Sequence, residues 1–221
     1  MIVYFLTLLS SKWEIVDSQL IQFISPERQN KIQKYLHTSD KKLCLYAGLI
    51  ARMGLSTISG IPSNNLLFSY KNNRKPIFLS DTKYDFSIAH TRDFILCCIS
   101  DNGPVGADVE KIRNAPLEIM DLMFHHDEIH YIKSAAPMQQ SLNFYKIWTQ
   151  KEAYTKMLGI GLANDLINCN TLHSDLSNLI NTWQQDNYMC CVCGENSYNC
   201  KITEISENEI KRYFLETSSS L

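Results

Sequence analysis

One segment limits what this chain can fold into, residues 144–162, which reads FYKIWTQKEAYTKMLGIGL. Its apolar residues recur at every third or fourth position, which is the spacing of an amphipathic helix. Gly159 then ends the predicted helix. Because Trp148, Glu152 and Lys156 are four residues apart, such a helix presents all three on one face. The segment therefore predicts a helix that carries an acid and a base beside an aromatic ring.

The charged pair on this helix has two interpretations. As a surface ion pair, Glu152 and Lys156 would stabilise the helix by roughly 0.2–0.5 kcal/mol. The stretch VGADVE upstream favours a site instead, because Asp108 and Glu110 are two residues apart and share one face of a predicted strand. Three carboxylates from two elements form an oxygen-rich group of the kind that magnesium prefers. The sequence therefore predicts a Mg²⁺ site at Asp108, Glu110 and Glu152.

Composition excludes some classes of protein. The chain has 221 residues, and its 45% hydrophobic content is enough for a substantial core. A formal net charge of −2 argues against nucleic-acid binding through bulk positive charge. No apolar run has membrane-spanning length, and we expect the apolar opening, MIVYFLTLLSS, to be a strand. We therefore predict neither a nucleic-acid nor a membrane partner.

The eight cysteines also have two interpretations. Cys190, Cys191, Cys193 and Cys200 include a C-x-x-C spacing, and His173 lies upstream, so a zinc site is conceivable. However, NYMCCVCGEN is also typical of a strand in which cysteine serves as a small hydrophobic residue. A second C-x-x-C pair and a secretion signal are missing from the sequence. The sequence therefore favours free thiols and a cytoplasmic protein.

A second group of possible metal ligands is the run His125-His126-Asp127-Glu128. Two adjacent histidines followed by acids suggest a metal site. The run also begins a predicted helix, however, and neighbouring residues of a helix face different ways. We therefore do not expect these side chains to form one site.

The order of predicted elements indicates an α+β fold. After the first strand, Ser25-Pro26-Glu27 begins a helix that runs to about residue 36, and a longer helix runs from residue 39 to Gly60. Short strands follow, one of them ending at His90 and Thr91. The second half repeats this order, with helices up to residue 162 and weaker strand signals at 167–172, 189–193 and 199–205. We predict two parts, residues 1–104 and 105–221.

Five motifs resemble one known family. FISPER, the pair Lys75-Pro76, FSIAHT, VGADVE and W-x-x-KEA-x-x-K-x-x-G-x-GL occur in the order and spacing of the phosphopantetheinyl transferases of the surfactin-synthetase-activating type. The match runs from about residue 23 to residue 162. The resemblance implies a pseudo-dimer of two similar halves, each with a small antiparallel sheet packed on helices. It also implies that coenzyme A binds in the cleft between them.

The resemblance also implies roles for particular residues. Asp108, Glu110 and Glu152 match the family's magnesium ligands. Five residues match positions that contact the phosphates or adenine of coenzyme A, namely Arg28, Lys31, Lys75, His90 and Lys156. The chain departs from the family pattern at Cys44, Arg74 and Ala89, which affects the details of binding on the adenine side.

The implied reaction suits these residues. Transfer of phosphopantetheine to a carrier-protein serine breaks the pyrophosphate of coenzyme A and leaves adenosine 3′,5′-bisphosphate. Lys156 and Mg²⁺ would offset the charge on the leaving phosphate. Glu152, directly or through a metal-bound water, would take the serine proton, while His90 would donate to a phosphate. The alternatives are a magnesium-dependent nucleotide phosphodiesterase and a non-catalytic module that binds coenzyme A or a carrier.

The partner implied by the resemblance is an acidic acyl or peptidyl carrier protein, bound by a monomeric enzyme. The candidate docking surface is the apolar segment 117–124, which follows the Asp108–Glu110 strand after a short link. Met120 and Phe124 can share one face of a helix there, as can Ile119 and Met123. The alternative is that this segment belongs to the core of the second half.

Overall fold

The computed structural model describes residues 1–69, 75–160 and 166–216. Strands and helices both contribute, and the architecture is α+β. The described strands are β1 (Ile2–Thr7), β2 (Phe68–Ser69), β3 (Ile77–Phe78), β4 (Asp85–Thr91), β5 (Phe94–Ser100), β6 (Gly106–Lys111), β7 (Ile180–Gln185), β8 (Tyr188–Cys193) and β9 (Lys201–Glu204). The described helices are α1 (Ile15–Leu20), α2 (Pro26–Lys34), α3 (Thr38–Ser59), α4 (Met120–Met123), α5 (His126–Lys133), α6 (Pro137–Leu158), α7 (Ser174–Ser177) and α8 (Glu207–Glu216).

The larger sheet has the strand order β4-β5-β1-β9. Its first three strands pair antiparallel, with Val3 opposite Cys98 and Ser87 opposite Cys98 on the other side, whereas β9 pairs parallel to β1. The helix α3 packs across β4 and β5, and its apolar residues form one core with those strands. The N-terminal sheet therefore takes its edge strand from the C-terminal end of the chain.

The smaller sheet is antiparallel, with the strand order β6-β8-β7. The helix α6 packs across β6 and β8. Buried residues of β1 and β5 join those of β6 and β8 in one apolar cluster, so the two sheets share a core. Cysteines of β8 lie in this core and its neighbour as buried free thiols, which confirms the strand interpretation of NYMCCVCGEN.

Side chains of β4 join the two sheets. Asp85 Oδ2 accepts a hydrogen bond from the backbone N–H of Val105 at 2.8 Å, and Ser87 Oγ accepts one from Ala107 at 3.0 Å. Both acceptors lie on β4, and both donors lie at the start of β6 or just before it. These bonds fix β6 beside β4 without a backbone ladder.

Several local predictions are confirmed. Ser25 caps α2, since its hydroxyl accepts a bond from Arg28 N at 3.3 Å, and Pro26 is the first helical residue. Gly60 and Gly159 end the two long helices with φ of 73° and 69°, a left-handed conformation that glycine adopts without steric cost. The predicted strand end at His90 and Thr91 is the end of β4.

Other local predictions are wrong. Residues 167–172 form no strand. Leu166–Asn168 form a short 3₁₀ turn, and the backbone N–H of Thr171 donates to the Glu128 carboxylate instead of to a neighbouring strand. In the segment 117–124, Met120 and Phe124 are buried against Phe144 and Ile147, so that pair belongs to the core and not to a docking face. Ile119 and Met123 are half-buried and Leu122 is exposed, and docking on this side of the segment stays a prediction.

Among the described residues, no helix is long and apolar enough to cross a membrane.

Candidate active site

A close approach of two backbones creates the site. Gly106 begins β6 directly against α6, where a Cβ atom on this residue would lie 1.8 Å from the carbonyl oxygen of Ala153. Only glycine permits this contact without a shift of the backbone. As a result, Asp108 and Glu110 on β6 lie beside Glu152 and Lys156 on α6, and the electrostatic interactions among the four side chains show that they form one group.

Asp108 and Lys156 form the closest pair of this group. Lys156 Nζ donates to Asp108 Oδ1 at 2.6 Å. Burial raises the pKa of Asp108 more than the Lys156 ammonium lowers it. Burial alone would lower the pKa of Lys156, but Asp108 and then Glu152 outweigh it and raise that pKa. Asp108 Oδ2 is buried and has no hydrogen-bond partner within the described part of the chain.

Glu110 is half-buried and lies near Trp148. Burial and then the neighbouring Asp108 raise the pKa of Glu110, while Lys156 and the Trp148 side chain lower it. Trp148 also stacks on Phe144 within the core beneath the site. The face of α6 predicted from the spacing of Trp148, Glu152 and Lys156 therefore exists.

Glu152 has the most perturbed pKa of the three acids. It is only 9% exposed. Burial, followed by the negative charges of Asp108 and Glu110, raises its pKa to about 7, although Lys156 opposes this. A carboxyl group with a pKa near neutrality is suited to accept and release a proton at physiological pH.

The residues fit a bound cation. Burial raises the pKa of all three acids, and neighbouring carboxylates raise those of Glu110 and Glu152 further, so an added positive charge would stabilise the ionised forms. The buried and unpartnered Asp108 Oδ2 offers a free lone pair of the kind that a metal uses. The oxygens of the three acids do not all approach within 4.8 Å of one another, and Lys156 occupies the space beside them.

A cluster of cations surrounds His90 at the end of β4. Although its side chain reaches solvent, partial burial and then the charges of Arg28, Lys31 and Lys156 lower the pKa of His90 to about 4. Arg28 is half-buried and donates from Nη1 to the carbonyl oxygen of Cys44 at 3.0 Å. The charge of Lys156 lowers the pKa of both His90 and Glu152, so the cation cluster lies next to the acids. Three cations and a neutral imidazole together favour a multiply charged anion.

Lys75 lies in this region, but its ammonium has protein partners. It pairs with the Asp85 carboxylate and donates to the carbonyl oxygen of Val105 at 2.7 Å. Lys75, Asp85 and Lys156 also line a cavity of about 200 Å³. Direct contact of Lys75 Nζ with a phosphate stays a prediction, and it would require an exchange of these partners.

Sequence reasoning missed the residues that support the site. Asp85 and Ser87 fix β6, but neither occupies a position that spacing marks as functional. Behind Glu152, the buried Lys151 pairs with Glu128 at 2.8 Å and donates to the carbonyl of Leu166 at 2.5 Å. The sequence shows a lysine next to Glu152, but neither its burial nor its partners could be predicted from it.

Two of the three departures from the family pattern lie within the described residues. Cys44 is buried on α3, where its carbonyl oxygen holds Arg28. Ala89 is buried beside His90 and offers no hydroxyl. Arg74 lies outside the described residues.

Comparison with known proteins identifies the family. The sequence model of the 4′-phosphopantetheinyl transferase superfamily matches residues 104–205, and that of the N-terminal part of 4′-phosphopantetheinyl transferase matches residues 11–101. The chain is 28% identical to the 4′-phosphopantetheinyl transferase gsp of Aneurinibacillus migulanus over 89% of this chain and 88% of that protein. It is 28% identical to the 4′-phosphopantetheinyl transferase Sfp of Bacillus subtilis strain 168 over 72% and 71% of the two chains.

The 4′-phosphopantetheinyl transferase AcpT of Escherichia coli O157:H7 is 32% identical over 62% of this chain and 68% of its own. This chain belongs to the 4′-phosphopantetheinyl transferase superfamily. The resemblance carried by the five motifs is thereby confirmed, as is the prediction of an enzyme rather than a binding module.

Proposed function

We propose that the group formed by Asp108, Glu110, Glu152 and Lys156 is the centre at which this enzyme transfers 4′-phosphopantetheine. The group moves from coenzyme A to a serine of an acyl or peptidyl carrier protein and leaves adenosine 3′,5′-bisphosphate. The observation that carries the proposal is the Glu152 carboxyl, with a pKa of about 7, beside Lys156 and next to the cations around His90. A phosphodiesterase could use the same acids and cations, so the family match is what favours the transferase.

Each group has a role in this reaction. Glu152 accepts the proton of the attacking serine. Lys156 stays charged and stabilises the negative charge that grows on the leaving phosphate. Arg28, Lys31 and His90 bind the phosphates of the nucleotide, and this binding energy positions the pyrophosphate against the acids.

Asp108, Glu110 and Glu152 would hold the metal, and we propose Mg²⁺ because every ligand is an oxygen. The cation would supply positive charge at the pyrophosphate and would stabilise the ionised forms of the three acids, whose pKa values burial raises. Its presence would also free Lys156 from Asp108 for contact with the substrate.

We propose further that the chain is a pseudo-dimer with the substrate cleft between its halves. In support, each half packs a helix of 22 residues, ended by a left-handed glycine, across a sheet. The cavity near Lys156 is lined by residues 75–77 and 85 from one half and by residues 156, 157 and 159 from the other. We retain the division at residues 104 and 105 as part of this proposal, with coenzyme A held mainly by the first part.

A monomer in the reducing cytoplasm fits these features. One chain supplies both walls of the cleft, and all eight cysteines are free thiols.

For the carrier protein we propose a docking surface beside the acids that includes the exposed Leu122, in place of the buried Met120 and Phe124.

The proposal is tested by mass spectrometry of apo carrier proteins incubated with coenzyme A. Asp108→Ala and Glu110→Ala are each expected to lower the rate of transfer by at least about 100-fold, because each removes a metal ligand. Excess chelator should have the same effect on the unaltered enzyme. Glu118→Gln is the matched control, since Glu118 is an exposed acid on the segment after β6. Full activity of either alanine variant, or in excess chelator, would contradict the site.

A further inference from the structure

The N-terminus of α5 brings two imidazoles and a carboxylate into contact. His126 Nε2 lies 2.9 Å from Asp127 Oδ1, and His125 Nδ1 lies 3.4 Å from Asp127 Oδ2. The two rings are 4.1 Å apart between centroids. Among the described residues, these three form a group whose possible metal-ligand atoms all lie within 4.8 Å of one another. The group shares no residue with the candidate active site.

The backbone explains why adjacent histidines meet here. His125 is the N-cap residue, with φ −65° and ψ 151°, and only His126 is helical. An extended N-cap residue turns its side chain back over the first turn of the helix. The expectation that neighbouring histidines face different ways is therefore wrong at this position.

The chain contains a second copy of this cap that lacks one feature. At the start of α7, His173 Nδ1 accepts a hydrogen bond from Asp175 N at 3.4 Å and lies 3.3 Å from Asp175 Oδ2. At the start of α5, His125 Nδ1 accepts from Asp127 N at 3.3 Å in the same way. Helix capping thus accounts for the first histidine and the aspartate of both motifs.

Capping does not account for the middle residue. It is Ser174 in one motif and His126 in the other. The His126 side chain is 82% exposed and contacts only the His125 ring and the Asp127 carboxylate among the described contacts, with its Nε2 directed at that carboxylate. The second imidazole is therefore the feature that needs another explanation.

The carboxylate between the imidazoles is held in place by its neighbours. Asn170 Nδ2 donates to Asp127 Oδ2 at 2.8 Å. The next residue, Glu128, is fully buried and accepts from His125 N at 2.8 Å and Thr171 N at 2.8 Å. An outer hydrogen bond of this kind orients a ligand before a metal arrives.

We propose that His125, His126 and Asp127 bind one divalent transition-metal ion, with zinc as the best fit, and that His125 Nδ1 exchanges its hydrogen bond from Asp127 N for the metal. A set of two imidazole nitrogens and one carboxylate oxygen is typical of zinc, whereas magnesium prefers oxygen ligands alone. The exposure of His126 and Asp127 leaves the fourth position to water. Because zinc binds the neutral imidazoles, binding weakens as the pH falls.

Bound zinc would join α5 to the segment 166–171 through Asn170. That segment is already tied to α6 by Lys151, which donates to the carbonyl of Leu166. Since the cap of α5 brings the three side chains together only in the folded chain, zinc raises the melting temperature of the enzyme.

The test is a calorimetric titration of the full chain with Zn²⁺, in excess Mg²⁺ to occupy the oxygen ligands of the acid group and with a non-thiol reductant. We expect one more zinc site in the unaltered protein than in His126→Ser, the variant that copies the α7 motif. If His126→Ser still binds zinc at this site, its affinity should be at least about tenfold weaker than that of the unaltered protein. The variant should fold normally, since His126 is exposed, and its melting temperature without metal should be unchanged.

Two further variants make the result specific. His173→Ala, in the motif without a second histidine, should leave zinc binding intact, and Asn170→Ala should weaken it by about tenfold because it frees the Asp127 carboxylate. Zinc should raise the melting temperature of the unaltered protein and of His173→Ala but not that of His126→Ser. Equal zinc binding by the unaltered protein and His126→Ser, including none by either, would overturn the proposal. So would a loss in His173→Ala as large as that in His126→Ser.

Discussion

At the scale of single residues, the surroundings of Glu152 decide its chemistry. A glutamate in solution is fully ionised at neutral pH, but burial and two nearby carboxylates raise the pKa of Glu152 to about 7. The same site lowers the pKa of His90 to about 4, through partial burial and three neighbouring cations. An added cation would therefore stabilise the ionised acids, and an anion is favoured beside His90, where three cations outweigh the charge of Asp40. Both expectations agree with the proposed metal–pyrophosphate substrate.

The raised pKa of Glu152 predicts how stability depends on pH without metal. Between pH 4.5 and about 7, the folded protein keeps a proton that the unfolded chain has lost. Stability should therefore fall as the pH rises through this window. Glu152→Gln should remove roughly 1–3 kcal/mol of that fall, as measured by urea unfolding in chelator at several pH values. Mg²⁺ should restore the stability of the unaltered protein at pH 8 and not that of the variant; identical pH profiles for the two proteins would contradict the assignment.

The cations on α2 predict a different kinetic effect. The charge of Lys31 lowers the pKa of His90. Because Lys31 is exposed, its removal should leave the packing of the core unchanged. Lys31→Ala should raise the KM for coenzyme A about tenfold, which is the size of one charge-assisted contact. The KM for 3′-dephospho-coenzyme A should change little. Lys34→Ala, an equally exposed lysine on the same helix, is the matched control. If Lys31→Ala changed the KM for both substrates equally, Lys31 would not bind the 3′-phosphate and would be an ordinary surface charge.

At the scale of elements, the site depends on how closely β6 approaches α6. The strand carries two of the acids and the helix carries the third together with Lys156. Gly106 allows the approach, while Asp85 and Ser87 hold the other side of β6 against β4. The contact is between backbones, so a flexible side chain cannot move aside to relieve it.

Gly106→Ala should therefore displace β6 from α6. We expect a loss of stability of about 1–3 kcal/mol or more, as for an overpacked core, and a fall in transfer rate of more than tenfold. Gly103→Ala is the control: at φ 88° it introduces backbone strain, but its Cβ would meet no atom within 4 Å. That variant should lose some stability and keep its activity per folded molecule. Unchanged transfer and stability in Gly106→Ala would show that the close approach is not required.

At the scale of the whole molecule, the C-terminal segment ties the two parts together. Strand β9 pairs with β1, and α8 packs against α3. Lys42 is buried on α3, and its Nζ lies 3.0 Å from Glu207 Oε2 on α8. Within the described residues this ammonium makes no aligned hydrogen bond, so it depends on the charge of Glu207. Because the last elements complete the first sheet, we expect the chain to unfold in one cooperative transition.

Glu207→Gln should lower the free energy of unfolding by about 3–5 kcal/mol, because it leaves a buried ammonium without its counter-charge. Glu216→Gln, which removes an exposed ion pair with Arg212 on the same helix, should change it by less than about 0.5 kcal/mol. Chemical denaturation of both variants measures the difference. A similar small effect in both would mean that the C-terminal helix contributes little to the first half.

Features that depend on a few neighbouring residues were predictable from the sequence. The Ser25 cap, the glycine ends of α3 and α6 and the strand FILCCIS follow from local propensity and spacing, and the structure contains each of them. The motif order was enough to identify the family. Spacing alone placed Asp108 with Glu110, and Glu152 with Lys156, because each pair lies on one regular element.

The contacts between distant elements were not predictable from the sequence and are visible in the tertiary structure alone. Lys75 pairs with Asp85 and Val105, Lys151 pairs with Glu128, and Met120 turns inward to the core. None of these contacts joins residues on the same turn or strand, so no periodicity in the sequence signals them. The same holds for the pKa of Glu152, since burial and charges from another element set its value. Spacing fixes which way a side chain points along its own element, whereas packing between distant segments fixes what it touches.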